Sequence, residues 1–130
     1  MVVSFHRPLA IGAVCNNMHE LAITQSILSI ALEKANAIGA NRITKINLTI
    51  GELSGIVDEC VQFYFDFLSK DTIAAEASIC FHQPPVQLRC RNCATIFSPD
   101  NLDWACPDCR EQKIELISGR ECYVDSIEVD

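Results

Sequence analysis

The residues best suited to chemistry are four cysteines arranged as two C-x-x-C pairs, Cys90 with Cys93 and Cys106 with Cys109. Two residues between cysteines let a tight turn direct both sulfurs toward one ion, and two such turns supply the four thiolates of a tetrahedral zinc site. The twelve residues between the pairs can form a hairpin that brings the turns together. Because four protein ligands leave no open position, the pattern predicts structural rather than catalytic zinc.

Iron in a rubredoxin-like site is the competing interpretation, because four thiolates in a tetrahedron suit either metal. Rubredoxin turns usually carry a glycine after the second cysteine of each pair. This chain has Ala94 and Arg110 at those positions. Zinc is therefore the predicted metal.

A second candidate metal site is the segment Met18-His19-Glu20. Imidazole suits Ni(II) among several ions, but a lone histidine beside a glutamate at a helix start is more often a solvated pair or a cap. His82 alternates with apolar residues, and we expect it to be exposed rather than a ligand. Residue types alone make this second site a weak prediction.

Two helices that must position these residues follow from apolar residues at helical spacing. The first is predicted over 18–38, where Gly39 provides the stop signal. The second is predicted over 58–70, and its aromatic residues, among them Phe63 and Phe67, are assigned to the core. Both helices are expected to cover a sheet.

Strands are predicted where apolar and polar residues alternate, over 46–50 and 77–81, and again over 114–117 and 123–129. The expected order is helix, strand, helix, strand, cysteine-rich insert and strand. Two helices on one face of a small sheet satisfy the layer rule for compact domains. The predicted fold is therefore α+β, with two helices on a small three-stranded mixed sheet and an inserted four-cysteine zinc-ribbon domain.

Three segments follow from this order. Residues 1–17 are expected to be an extension that is disordered or not native. Residues 18–85 together with 113–130 are expected to form the main domain, and residues 86–112 the zinc ribbon.

Composition excludes several classes of function. The 130 residues carry a formal net charge of −7, whereas binding to nucleic acid phosphates needs clustered Lys and Arg. No stretch approaches the ~20 apolar residues of a transmembrane helix. Nucleic acid and membrane partners are therefore not expected. The four cysteines outside the pairs are scattered, which is typical of a reducing compartment, so we predict the cytoplasm.

No catalytic triad or phosphate-binding loop is evident, and the chain is not predicted to be an enzyme.

Three features occur in one order from Met18 to the C-terminus: Met-His-Glu-Leu-Ala-Ile-Thr-Gln-Ser-Ile (18–27), Ile-Gly-Glu-Leu-Ser-Gly-Ile (50–56) and the paired C-x-x-C insert. Together they resemble the HypA/HybF family of hydrogenase nickel-incorporation proteins. The resemblance implies a nickel metallochaperone that takes up Ni(II) and helps to deliver it to the large subunit of NiFe-hydrogenase. It also implies a HypB-type GTPase as partner and, in some organisms, urease maturation proteins. The sequence leaves open whether the chain forms a homodimer.

The resemblance also implies the nickel site. It assigns His19 as the ligand and Glu20 as its neighbour, and it places Asp58 near the metal in some members. The family motif normally begins the chain, where a free amine can bind nickel, but here 17 residues precede Met18. Three explanations stay open for these 17 residues: translation begins at Met18 in the cell, the extension is removed, or nickel binds with one donor fewer. If Met18 is internal, we expect weaker nickel binding that still depends on His19.

The alternative function is a zinc-ribbon interaction module, such as a transcription or translation adaptor, with no nickel role. A basic face would favour it, but the insert mixes basic and acidic residues. A further hypothesis is that the orientation of the zinc ribbon couples partner docking to nickel uptake or release. It is motivated by the two connections to the insert, which both pass near the main sheet.

Overall fold

The computed structural model describes residues 1–10, 20–99 and 104–130. Within these ranges the chain forms seven strands, two α-helices and one short 3-10 helix. In chain order they are β1 (Val2–Ala10), α1 (Glu20–Ala37), β2 (Ile43–Ile50), the 3-10 helix (Glu52–Ser54), α2 (Asp58–Leu68), β3 (Ser78–His82), β4 (Gln87–Cys90), β5 (Ile96–Phe97), β6 (Ile114–Ser118) and β7 (Cys122–Val129).

The main sheet has four strands in the order β1-β7-β2-β3. Strands β2 and β3 are parallel, with Ile46 opposite Ile79, whereas β7 is antiparallel to both of its neighbours. A crossover helix, α2, makes the parallel pair possible because such strands cannot be joined by a tight turn. The predicted α+β class with a mixed sheet and two helices is confirmed, and the sheet has one strand more than predicted.

Helix α1 packs a continuous apolar stripe on the sheet. Its core residues Ile23, Ile27 and Ala31 are fully buried and follow the spacing of one helix face. The helix ends at Ala37, two residues before the predicted stop signal Gly39, whose amide donates to the Asn36 carbonyl at 3.1 Å. No helix in the described residues has the length and apolar character needed to cross a membrane.

Helix α2 differs from the prediction that Phe63 and Phe67 lie in the core. Val61 and Phe65 are fully buried, but Phe63 and Phe67 are 70% and 67% exposed. Residues 61 and 65 are four apart and share one helix face. Residues 63 and 67 share the opposite face, which points away from the core and is exposed to solvent.

The N-terminal segment also differs from its prediction. Residues 2–10 form strand β1 at the edge of the main sheet, whereas residues 1–17 were expected to be an extension that is disordered or not native. The segment pairs with β7, with Val2 opposite Glu128 and Ala10 opposite Tyr123. A strand can be ordered by an existing sheet edge even when its own sequence is short and irregular, because the partner supplies the hydrogen bonds.

A second sheet holds the paired cysteines, in the order β5-β4-β6. Strand β6 pairs with β4, with Leu116 opposite Leu88, although the sequence assigned residues 114–117 to the main domain. We call residues 87–118 the ribbon. The two connections between the ribbon and the main sheet are residues 83–86 and 119–121.

Candidate metal centres

The four predicted zinc ligands lie together. The sulfurs of Cys90, Cys93, Cys106 and Cys109 are all within 4.8 Å of one another. The sulfur of Cys90 is 3.5 Å from that of Cys109, and the sulfur of Cys93 is 3.5 Å from that of Cys106. Cys90 and Cys106 are buried, so each pair offers one enclosed and one more accessible thiol.

The two C-x-x-C turns have the same backbone geometry. The Ala94 amide donates to the Cys90 carbonyl at 2.8 Å, and the Arg110 amide donates to the Cys106 carbonyl at 2.9 Å. Ala94 and Arg110 have φ values of 63° and 65°, in the left-handed region that favours glycine. At the two positions where rubredoxins usually have glycine, this chain therefore adopts the left-handed backbone conformation with side chains present.

The cluster is held by the ribbon backbone. The Cys90 amide donates to the Thr95 carbonyl at 2.9 Å, and the Cys106 amide donates to the Glu111 carbonyl at 3.0 Å. The Thr95 hydroxyl donates to an Asp108 carboxylate oxygen at 2.8 Å, which links the two turns through side chains. These bonds fix both turns before any metal is considered.

The thiols ionise unequally. The pKa of Cys93 is lowered to about 6, first by the Thr95 hydroxyl, which lies 3.1 Å from its sulfur, and then by the Thr95 amide and the Cys106 thiol. For Cys90 the Cys93 amide lowers the pKa, but burial and the thiols of Cys109 and Cys93 outweigh it and raise the pKa to about 11. Metal binding must therefore displace a proton from Cys90 at neutral pH.

This donor set fits structural zinc. Four thiolates that can approach a common centre from two rigid turns satisfy tetrahedral zinc without an open position. Zinc held there would cross-link the two turns and stabilise the ribbon, whose three short strands bury few apolar side chains. It would supply no site for a substrate.

The predicted nickel residues fall partly outside the described chain. Met18 and His19 lie outside the described residues, and α1 begins at Glu20. A Glu20 carboxylate oxygen lies 3.4 Å from the Val57 amide nitrogen, which donates to it. Val57 directly precedes Asp58, so the structure brings two of the three predicted residues to one region.

Asp58 has a partner that the sequence did not indicate. The Gln83 side-chain amide donates to an Asp58 carboxylate oxygen at 2.9 Å. Burial raises the pKa of Asp58 above its usual value, the negative charge of Glu59 raises it further, and the bond from Gln83 lowers it. Gln83 was missed because a hydrogen bond between residues 25 positions apart has no local sequence signal. His82, next to it, is exposed as predicted.

The 3-10 helix contacts the second connection to the ribbon. The Leu53 amide donates to the Gly119 carbonyl at 2.7 Å, and the Gly51 amide donates to the Glu121 carbonyl at 2.7 Å. A Cβ atom at Gly51 would overlap the Gly119 carbonyl group. Only glycine allows the two backbones to approach this closely.

The same 3-10 helix contacts the first connection. The Glu52 amide donates to the Pro84 carbonyl at 3.2 Å, and the Glu52 carboxylate accepts from the Val86 amide at 3.3 Å. We call Gly51–Ser54 the junction turn. It is bonded to both connections and ends four residues before Asp58, so the ribbon is attached beside the candidate nickel residues.

The remaining cysteines bear on the predicted compartment. Cys60 and Cys80 are exposed free thiols. Cys122 is half-buried against the core and disulfide-bonded. The scattered cysteines were taken as typical of a reducing compartment, and the disulfide at Cys122 does not fit that expectation.

Fold and metal cluster together define a class: an α+β protein that carries a four-thiolate zinc ribbon on one end of its sheet. The profile of the family described as "Hydrogenase/urease nickel incorporation, metallochaperone, hypA" matches residues 18–129. The chain therefore belongs to the HypA family of nickel metallochaperones, and the resemblance inferred from three motifs is confirmed. Hydrogenase maturation is the process that this family serves.

Relatives agree along most of the chain. A hydrogenase maturation factor HypA from Dehalococcoides mccartyi is 42% identical over 113 residues, which are 87% of this chain and 95% of the relative. The HypA of Caldanaerobacter subterraneus is 38% identical over 114 residues, covering 87% of this chain and all of the relative.

Solved structures support the fold. The solution structure of the Ni metallochaperone HypA from Helicobacter pylori has a TM-score of 0.62 at 24% identity, over 86% of this chain and 97% of that one. A second solution structure of a HypA protein has a TM-score of 0.68 at 24% identity, over 87% and 97% of the two chains.

Proposed function

We propose that this chain binds Ni(II) and delivers it to the large subunit of NiFe-hydrogenase by direct protein contact, without turnover of a substrate. Membership of the HypA family carries this proposal, because the matched profile is that of a nickel-incorporation metallochaperone. The partner that hands over or helps to release the ion is proposed to be a HypB-type GTPase. Urease maturation proteins are a second proposed destination.

The proposed nickel site lies at the start of α1. His19 supplies an imidazole, a donor that suits Ni(II), and neighbouring backbone nitrogens can complete a planar set. The bond between the Glu20 carboxylate and the Val57 amide supports this location, because it joins the start of α1 to the residue that precedes Asp58 at the start of α2. Glu20 and Asp58 contribute negative charge beside the ion rather than the main bond.

A site with one imidazole and few other side-chain ligands is suited to delivery. A carrier must release its ion to the acceptor, and a closed four-ligand site such as the cysteine cluster would hold the ion too firmly. The zinc cluster is therefore proposed to be structural and to take no part in transfer. Its four ligands in this proposal are Cys90, Cys93, Cys106 and Cys109.

The junction turn is the proposed link between the two metal regions. Its backbone is bonded to both connections of the ribbon, through Gly119 on one side and Pro84 on the other. Rotation of the ribbon would therefore pull on the loop that precedes Asp58. This supports the hypothesis that docking of a partner on the ribbon changes nickel affinity. Unchanged nickel transfer after rigid cross-linking of ribbon and main sheet would contradict it.

The cytoplasm is the proposed compartment. Six described cysteines are free thiols, four of them in the metal cluster, and thiolate metal sites persist where thiols stay reduced. The disulfide at Cys122 is the one feature in the described residues that does not support this compartment.

Calorimetric titration with Ni(II) tests the proposal, with His19→Ala as the variant and His82→Ala as the matched control. His82 is exposed at the end of β3, so its removal controls for the loss of any surface imidazole. The expected result is nickel binding by the wild type and by His82→Ala, and at least tenfold weaker binding by His19→Ala, about 1.4 kcal/mol. Equal binding by all three proteins would contradict the proposed site, and no binding by any would favour the adaptor function.

A further inference from the structure

Strand β1 lies outside the region that matches the family, yet it completes the main sheet. The matched region begins at residue 18, whereas β1 pairs with β7 through Val2–Ser4 and again at Leu9 and Ala10. The Met1 amine donates to the Val129 carbonyl at 2.6 Å, and the Val129 amide donates to the Met1 carbonyl at 2.8 Å. Most of one side of β7 is therefore paired with a segment that lies outside the region matched to the family.

The covered side of β7 is one that other strands could bind. Without β1, the amides and carbonyls on this side of β7 would lack partners, as on any sheet edge. The strand also carries Val124, Ile127 and Val129, which are no more than 2% exposed, and Val3 packs against the same core. Removal of β1 would thus uncover backbone groups and apolar surface together.

We propose that the outer side of β7 is a strand-binding surface, which β1 occupies within this chain and which pairs with β7 of a second copy when β1 is absent. The surface accepts an extended antiparallel strand with apolar residues toward the core, and β7 itself has these properties. Antiparallel pairing of two identical strands is two-fold symmetric, so it closes after two copies. The inference does not depend on nickel binding.

Charge is compatible with this pairing. In the symmetric register that sets Cys122 opposite Val129, Glu128 lies opposite Tyr123 and Asp125 opposite Ser126. Within β7, Cys122–Val129, no acidic residue faces an acidic residue directly, an arrangement that would destabilise the pair. The one acidic pair that this register sets opposite, Glu121 and Asp130, lies just outside the strand. Within one chain, β1 has the advantage of a covalent tether, which gives a high effective concentration. The chain that keeps β1 in place is therefore expected to be monomeric.

The pairing pattern allows β1 to be weakened selectively. Met1 and Val129 exchange both of their backbone hydrogen bonds. Hydrogen-bonded and non-bonded pairs alternate along antiparallel strands, so Val3 and Ile127 form the next hydrogen-bonded pair. The Ser4 amide, in the pair after that, points away from β7. Proline at position 3 removes a bond to β7, whereas proline at position 4 removes only an amide that faces solvent.

The experiment compares the molar mass of wild type, Val3→Pro and Ser4→Pro in the full chain, by light scattering across a wide range of protein concentrations. Wild type and Ser4→Pro are expected to stay monomeric, and Val3→Pro to form a dimer as concentration rises. A synthetic peptide with the sequence of residues 1–10 is expected to return the Val3→Pro dimer to monomer. Exchange of the Val129 amide with solvent reports whether β1 has left β7. If this amide exchanges freely in Val3→Pro alone, and Val3→Pro nevertheless has the same molar mass as Ser4→Pro at every concentration, the proposal is overturned.

A chain of residues 18–130 makes the test independent of how far proline displaces β1. Relatives that align along their whole length with 87% of this chain show that this part corresponds to an entire family protein. This chain is expected to dimerise and to bind the peptide of residues 1–10 with loss of the dimer. If residues 18–130 are monomeric and do not bind the peptide, the proposed strand-binding surface is wrong. If they are monomeric but bind the peptide, the surface exists and the proposal that a second copy occupies it is wrong.

Discussion

Leu53 and Gly119 are joined by a hydrogen bond of 2.7 Å from the Leu53 amide to the Gly119 carbonyl. The bond connects the junction turn, which precedes α2, to the connection that returns from the ribbon to the main sheet. It exists because Gly51, two residues earlier than Leu53, has no side chain to separate the two backbones. The first prediction concerns this close approach.

Gly51→Ala is expected to reduce the free energy of unfolding by about 1–3 kcal/mol or more, the usual range for overpacking. The added methyl group would overlap the backbone of Gly119, which is not a flexible side chain and cannot move aside cheaply. Gly55→Ala is the control, since nothing lies within 4 Å of its Cβ position and only its φ of 73° is strained. Urea denaturation measures both. A smaller loss for Gly51→Ala than for Gly55→Ala would contradict the prediction.

Phe65→Ala is expected to cost about 3–5 kcal/mol in urea denaturation, the range for removal of a buried aromatic ring. Phe65 is fully buried in the main hydrophobic core. Phe67→Ala, on the same helix, is expected to cost much less, because Phe67 is 67% exposed and its ring contacts the Lys70 ammonium at 5.5 Å. Similar losses for the two variants would show that α2 is rotated from the described position.

Cys106→Ser is expected to abolish zinc binding, because three thiolates and a hydroxyl no longer provide the closed tetrahedral set. Cys80→Ser is the matched control, since Cys80 is exposed and lies outside the cluster. Metal analysis of the purified proteins should give about one zinc per chain for the control, as one closed site requires. Zinc retained by Cys106→Ser at the control level would contradict the cluster.

Asp58 should make stability depend on pH. Its pKa is raised in the folded chain, so the folded state binds the proton more tightly than the unfolded state. Ionised Asp58 therefore disfavours the fold at neutral pH, and this effect disappears as the pH falls through the folded pKa toward 3.8, the ordinary pKa of an aspartate. Asp58→Asn is expected to be at least as stable as wild type at pH 7, with the difference shrinking in acid. A stability difference between Asp58→Asn and wild type that grows as the pH falls would contradict the prediction.

Nickel affinity should depend on where the chain begins. In the chain of residues 18–130 the terminal amine lies next to His19 and can bind nickel, whereas in the chain of residues 1–130 the amine is bonded to Val129. Tighter nickel binding is expected for residues 18–130, with affinity falling below about pH 6.5 as the imidazole protonates. N-terminal acetylation of residues 18–130 is the control and should remove the gain. Calorimetry that finds equal affinities for all three forms would contradict the prediction.

Local pattern predicted the parts of the fold that depend on local chemistry. The cysteine spacing was sufficient to predict the cluster, because each C-x-x-C turn is built within five residues. Helical spacing predicted α2 but did not distinguish the face of Phe65 from that of Phe63, since both faces are apolar and only the sheet decides which is covered. The hydrogen bond between Asp58 and Gln83 depends on tertiary folding.

Strand β1 could not be predicted for a related reason. Strand β1 is ordered by hydrogen bonds to the amides and carbonyls of β7, and the sequence of residues 2–10 does not indicate that such a sheet edge is available. The bond between Met1 and Val129 is the result of that pairing. Sequence patterns report which residues could form a strand, whereas the partner edge decides whether they do.

The bond between Met1 and Val129 also has a practical consequence for handling the molecule. Val129 lies opposite Ile43 at the beginning of β2, and the junction turn follows the other end of β2, roughly 23 Å away at the rise of a strand. An affinity tag or surface anchor on either terminus would therefore leave the metal regions facing solution. Because the two termini meet, a short flexible linker could join them, and the chain could be opened elsewhere as a circular permutant.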